Sequence, residues 1–160
     1  MPQIGDFAPD FTLKNQDDQS VHLRDNRGKK VVIFAFPKAG TPGCTLQACN
    51  FNDVMPRLAH SNTVVYGIST DTPPELKRFK QTEKLNYDLL SDPERNVIEA
   101  WDAWGPSLLG LVRVPAIIRS YWVIDEEGRF IDLKIGAGPR ESMEKALQAI
   151  EKHSRLRRKI

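Results

Sequence analysis

A chain of 160 residues and 18.1 kDa has the length of one ordinary domain, and its 40 % hydrophobic and 28 % charged residues exclude a disordered, collagen-like or disulfide-dense polymer. The formal charge of +2 comes from the end of the chain: Lys152, Arg155, Arg157, Arg158 and Lys159 lie in the last nine residues without an acid, and setting aside those five of the 23 basic residues leaves 18 against 21 acidic ones. A nucleic-acid reader carries its basic surplus across its body, so that class is not expected, and the tail reads as a helix end whose cations offset the negative pole of the dipole, followed by fray.

In chain order, MPQIGDFAPD lacks the basic start and apolar middle of an export signal, and no run approaches the roughly 18 apolar residues of a membrane span. The expected home is the cytoplasm, with no membrane partner. Phe11–Leu13 and Val21–Leu23, around the polar NQDDQS, suggest a small N-terminal β-hairpin. KVVIFAF, Lys30 to Phe36, is short, β-branched and almost wholly apolar, as befits a central strand covered on both faces. TVVYGIS, Thr63 to Ser69, reads the same way, and Thr41 to Leu58 is long enough to cross over as a helix, which makes a parallel βαβ unit.

Thr72, Pro73 and Pro74 mark a helix start for ELKRFKQTE, and Ser91, Asp92, Pro93 and Glu94 repeat that signature before NVIEAW. Ile117–Asp125 and Arg129–Ile135 flank EEG as two antiparallel strands. From Arg140 to about Lys152, Met143, Leu147 and Ile150 recur at helical spacing. The expectation is one α/β domain over 1–160, a mixed central β-sheet flanked by α-helices with an antiparallel edge.

The chemistry concentrates in PKAGTPGCTLQAC, Pro37 to Cys49, which follows the buried strand at the carboxyl edge where open α/β sheets place their sites. Thr41 suits an N-cap, Pro42 the first helical position, and Cys44 falls in the first turn. There the positive helix pole and unpaired N–H groups favour a thiolate, which makes Cys44 a candidate nucleophile. Gly43 and Pro42 suit a tight, exposed turn that brings backbone donors toward a ligand. The competing reading is a small buried apolar residue, the commonest setting of a lone cysteine.

Cys49 lies five residues on in the same helix, with Cα atoms roughly 8 to 9 Å from those of Cys44, beyond the approximately 7 Å limit for a disulfide. Joining the two requires the helix to unwind, and such a bond is transient rather than a staple, as a cytosolic setting also implies. The C-x4-C spacing is neither a C-x2-C couple nor, without a nearby His, a zinc motif. Inert core is an equal reading of Cys49.

Pro37, Thr41 and Cys44 spell P-x3-T-x2-C, and GCT-x2-AC-x-F-x-D runs from Gly43 to Asp53. The pattern resembles the peroxiredoxin family, specifically the bacterioferritin comigratory protein or peroxiredoxin Q group, in which a second cysteine lies five residues after the first. GDFAPDFTL, YGIST, LLSDP, WG and IIRSYWVIDEEG extend the likeness over nearly the whole chain.

The resemblance implies a thioredoxin-like fold and a thiol peroxidase acting on hydrogen peroxide and organic hydroperoxides without haem, metal or flavin. By that likeness Cys44 would be the peroxidatic cysteine that becomes a sulfenic acid. Thr41 would hydrogen-bond the thiolate and the bound peroxide, and Pro37 would shield the site from water. Arg119, read within the strand IIRSYWVID, would favour the thiolate and stabilise charge on the departing oxygen. Cys49 would be the resolving cysteine, forming an intrachain disulfide that thioredoxin or a similar dithiol reduces. Gln47 stands where relatives often have Glu or Gln.

Two departures accompany the likeness: Ala39 replaces a common acidic residue, and PSLLGLVRVPAII replaces a polar, lysine-rich segment. The apolar stretch Leu108–Val114 reads as a packed loop or short helix, or as a patch for a dimer partner or the reductant; a monomer is the group's usual condition. The competing classes are a thioredoxin-fold binding module without a reactive thiol and a Cys–His hydrolase. The latter needs His22, His60 or His153 beside Cys44; His60 follows the far end of the proposed helix, His153 lies in the tail and His22 on an expected strand.

Overall fold

Every residue from Lys30 to Ala35 is buried, because this run, strand β3, sits inside a seven-stranded sheet and is covered from both sides. The structure is a computed structural model that describes residues 2–109 and 112–158. β3 pairs in parallel with β4 (Thr63–Ser69) and antiparallel with β8 (Ser120–Ile124). The full order is β2 (Ser20–His22), β1 (Thr12–Asn15), β5 (Asp88–Ser91), β4, β3, β8 and β9 (Phe130–Ile135). β1 runs antiparallel to both β2 and β5, β5 parallel to β4, and β9 antiparallel to β8 with a register shift between Val123 and Ile124. Mixed pairing and flanking helices follow the sequence expectation.

Alternation along β3 feeds two cores. Val32 and Phe34 face α1 (Pro42–Asp53), α3 (Pro73–Glu83) and α5 (Pro139–Arg158), packing with Ala48, Phe51, Leu76, Phe79 and Ile150. The rings of Phe34 and Phe51 stack at 4.6 Å. Val31, Ile33 and Ala35 face the other way, onto α4 (Asn96–Ala100), Trp101 and the N-terminal Ala8 and Phe11. Trp101 stands edge-on to Trp122 and Phe130, contacts that add about 1 kcal/mol each beyond area burial. The two-sided core anchors β3, and with it the chain that enters the site.

The crossover expected over 41–58 is two helices. α1 ends at Asp53 and α2 (Met55–His60) starts after Val54, because Pro56 has no N–H for the Asn52 carbonyl and its ring crowds that turn. The strand expected over 117–125 breaks at Ile118 and Arg119. Before the break, β7 (Val112–Ile117) pairs antiparallel with β6 (Trp104–Leu109) as a separate ribbon; after it, β8 joins the sheet. The bend is held by the Ile118 N–H on the Ala103 carbonyl and by the Ser120 hydroxyl on the Ile118 carbonyl. Residues 108–109 and 112–114 therefore belong to strands of a ribbon rather than to a short helix; residues 110–111 and the side chains of 107–113, and with them the expected apolar patch, lie outside the described residues.

α3 begins with a capping box in which Thr72 and Glu75 satisfy each other's backbone N–H, worth about 1 kcal/mol. The second start signal works differently: Asp92 lies outside α4 and its carboxylate accepts the N–H groups of Asn96, Val97 and Ile98. α5 continues to Arg158, past the expected end near Lys152, so the basic tail is helix through Arg158, with Arg155, Arg157 and Arg158 in the last turn. Arg157 pairs there with Glu127 at 3.1 Å and Glu126 at 3.5 Å. No described helix is long and apolar enough to cross a membrane.

Candidate active site

Beyond β3, loop 37–41 turns the chain into α1, with Pro42 as its first residue and Thr41 at the N-cap position. Cys44 is 1 % exposed. Its sulfur accepts the Lys38 N–H at 3.5 Å and an Arg119 Nη2–H at 3.7 Å. These donors and the positive helix pole supply what a sulfur anion needs. Pro37, Gly40, Thr41 and Pro42 are exposed, as expected of this turn, whereas the sulfur is buried beneath it.

The Thr41 hydroxyl departs from expectation. It makes no capping bond and, among the described residues, no bond to Cys44; it donates to the Lys38 carbonyl at 2.7 Å. That carbonyl belongs to the residue whose N–H reaches the sulfur, so the Thr41 hydroxyl is linked to Cys44 through the Lys38 backbone.

Arg119 lies in the break before β8, not within a strand as the sequence reading has it. Its carbonyl accepts the N–H groups of Gly136 and Ala137. Its Nη1 donates to Gln47 Oε1 at 2.6 Å and to the Gly43 carbonyl at 3.3 Å. Gln47 is fully buried and donates through Nε2 to Ser142 Oγ at 3.3 Å; Ser142 in turn donates to the Gly138 carbonyl at 2.8 Å. A Cβ at position 43 would stand 2.9 Å from Nη2, so glycine there lets the guanidinium reach the sulfur. Because arginine stays protonated, this cation is permanent.

On the other side of the loop, the buried Asp71 accepts the Ala39 N–H at 2.8 Å, the Ser69 hydroxyl at 2.7 Å and the Lys38 ammonium at 3.3 Å. Lys38 also meets Glu75 at 3.3 Å, and the two carboxylates, Glu75 first, push its ammonium above the ordinary lysine value. Lys38, Asp71 and Ser142 are absent from the sequence-derived candidates. Lys38 contributes a backbone N–H, which carries no residue-type signal, and Asp71 and Ser142 reach the loop and α1 from 33 and 95 residues away. Gly43 had a readable signal, a glycine placed inside the first turn of a helix that disfavours it.

Cys49 is half-buried on the same unbroken helix, and both thiols are free. Its S–H donates to Glu83 Oε1 at 3.9 Å. Burial, then the Glu83 and Asp53 charges, push this thiol above its ordinary value. A groove of about 470 Å³ runs past Lys38, Ala39, Gly40 and Thr45 to Arg78, Phe79 and Glu83 on α3. The histidines are engaged elsewhere or distant: His22 with Thr12, His153 with Glu126, and His60 at the end of α2.

Residues 4–132 match the AhpC/TSA family. Peroxiredoxin Bcp of Escherichia coli K12 is 42 % identical over 127 residues, covering 79 % of this chain and 81 % of that protein. A peroxiredoxin of Schizosaccharomyces pombe is 39 % identical over 150 residues, covering 92 % and 74 %. The crystal structure of BcpB from Mycobacterium tuberculosis superposes with a TM-score of 0.85 at 30 % identity, covering 95 % of this chain and 98 % of that one. A cysteine-to-serine variant of PrxQ from Xylella fastidiosa, at 22 % identity and a TM-score of 0.89 over 96 % and 98 % of the two chains, shares the fold. With its thioredoxin-like sheet and the cysteine at the strand-to-helix turn, the chain belongs to the AhpC/TSA family, among peroxiredoxins of the Bcp/PrxQ group.

Proposed function

We propose that this peroxiredoxin reduces hydrogen peroxide and organic hydroperoxides through Cys44, with Cys49 as resolving cysteine and thioredoxin or a similar dithiol as reductant. The observation that carries the reading is a sulfur in the first turn of α1 with the Lys38 N–H and the Arg119 guanidinium both directed at it. A buried, inert cysteine has no use for a permanent cation held by a dedicated glutamine.

In the first step the Cys44 thiolate attacks the nearer oxygen of the hydroperoxide. The S–O bond forms as the O–O bond breaks, sulfur is oxidised to a sulfenic acid, and the departing alkoxide or hydroxide takes a proton to leave as alcohol or water. Arg119 meets the negative charge at both ends of this step. Pro37 and Thr41 flank the approach; Pro37 limits water, and Thr41 holds the Lys38 peptide to the sulfur. In the second step α1 unwinds, Cys49 attacks the sulfenic sulfur, and the disulfide forms with loss of water. A dithiol then exchanges with the bridge, restoring both thiols and becoming oxidised itself.

Peroxide consumption with thioredoxin and thioredoxin reductase, on wild type, Cys44→Ser and Cys49→Ser, tests the reading. Cys44→Ser is expected to consume none, and unaltered turnover in it would overturn the proposal. Cys49→Ser is expected to react once and stall; normal turnover in it would assign resolution to an external thiol. Mass spectrometry of the oxidised wild type is expected to find a 44–49 bridge.

A further inference from the structure

Asp71 lies two residues beyond the end of β4 and is 5 % exposed, and a buried carboxylate needs donors to be tolerated. Its own N–H bonds to Ser69 Oγ at 3.1 Å and its carbonyl takes the Ser91 hydroxyl at 2.6 Å. The residue is therefore fixed to β4 and β5 before it touches the active-site loop. Its carboxylate then takes two donors from that loop, the Ala39 N–H and the Lys38 ammonium. The Lys38 N–H is the backbone donor to the Cys44 sulfur, and the Thr41 hydroxyl closes on the carbonyl of the same residue.

We propose that Asp71 is a positioning residue for Cys44: by clamping Lys38 and Ala39 to the ends of β4 and β5, it orients the Lys38 N–H toward the sulfur. The inference rests on Cys44 being the peroxidatic cysteine. Glu75 also meets the Lys38 ammonium, but it is exposed and committed to capping α3, so it does not replace the buried clamp. Loss of the clamp frees the loop, removes one of the two donors on the sulfur, and slows the peroxide step. The later condensation requires the loop and α1 to come apart, so a looser loop leaves that step as fast or faster.

Single-turnover kinetics on the full chain test this, with thermal unfolding as a control. Asp71→Ala is expected to lower the rate constant for sulfenic acid formation about tenfold, while 44–49 bridge formation is unchanged or quicker. Asp71→Asn, which keeps an oxygen for the Ala39 N–H, is expected to recover most of the loss. Ser69→Ala leaves the carboxylate in place and is expected to cost about twofold in the peroxide step alone. A folded Asp71→Ala with wild-type kinetics, equal slowing of both steps, or an Asp71→Asn no better than Asp71→Ala overturns the proposal. Should Asp71→Ala fail to fold, Ser69→Ala decides: a loss confined to the peroxide step supports the clamp, and no loss overturns it. Wild-type protein that forms no sulfenic acid overturns the peroxidase reading and this inference together, whereas an active wild type matched by Asp71→Ala overturns the inference alone.

Discussion

The Cys44 sulfur meets a backbone N–H, a guanidinium and the positive pole of α1. The Cys49 sulfur, five residues later, meets the Glu83 carboxylate and is pushed up by burial, Glu83 and Asp53. A helix of 12 residues thus holds one thiol among positive partners and the other among negative ones. Position adds to the contrast, since the dipole acts only within the first turn. In the proposed cycle this separates the two tasks: one sulfur is ready for peroxide, while the other stays a thiol until there is a sulfenic acid to attack.

Arg119→Met is the strongest way to break the contrast. It removes the fixed cation and strands the Gln47 and Gly43 oxygens that the guanidinium satisfies. The rate of peroxide reduction should fall about a hundredfold or more, read by stopped-flow fluorescence; a loss under about threefold would place the asymmetry in the helix pole and the Lys38 N–H.

Gly43→Ala keeps the cation and moves it. The new Cβ, 2.9 Å from Nη2, meets the far end of a flexible side chain, so the guanidinium yields and the fold survives. We expect about a tenfold slower peroxide step with a nearly unchanged unfolding temperature; a wild-type rate would mean that the guanidinium works from further away.

Glu83→Gln has the smallest effect and acts on the other sulfur. The alkylation midpoint of Cys49, measured with Cys44→Ser as background, should move down toward the ordinary thiol value, and the peroxide step of the single variant should stay as it is. The sign extends to stability. A thiol held un-ionised in the folded protein contributes fully below its unfolded-state value, and that contribution is lost as pH rises through the raised one. Glu83→Gln should therefore flatten the loss of stability at alkaline pH, and an unmoved midpoint would assign the shift to burial and the Asp53 charge.

The part of this site that local chemistry defines was legible in the sequence. Pro42 and Cys44 announce a helix start with a thiol in it, and the apolar run before them announces the buried strand that carries it. Arg119 was legible as a residue but not in its setting. Apolar spacing in IIRSYWVI continues through the arginine as though through one strand, and the bend comes from the Ala103 carbonyl, a partner no local pattern contains. Thr41 was legible as an N-cap by type, yet its hydroxyl turns to the Lys38 carbonyl, an acceptor that exists only once the loop has closed. Strand β5 escaped notice because Leu89 and Leu90 alone mark it, and its place was fixed by β4 and β1 on either side.

The interruption at Val54 bears on how far a disturbance of α1 can spread. Pro56 leaves the Asn52 carbonyl without the N–H that would have stitched the two helical segments into one ladder, and Leu58 on the far side is fully buried against the sheet. The gap acts as a firebreak: in the proposed cycle the turns that bear the two sulfurs fray and re-form on each round while the segment behind them stays seated, so the motion needs only local melting rather than a share of the whole fold.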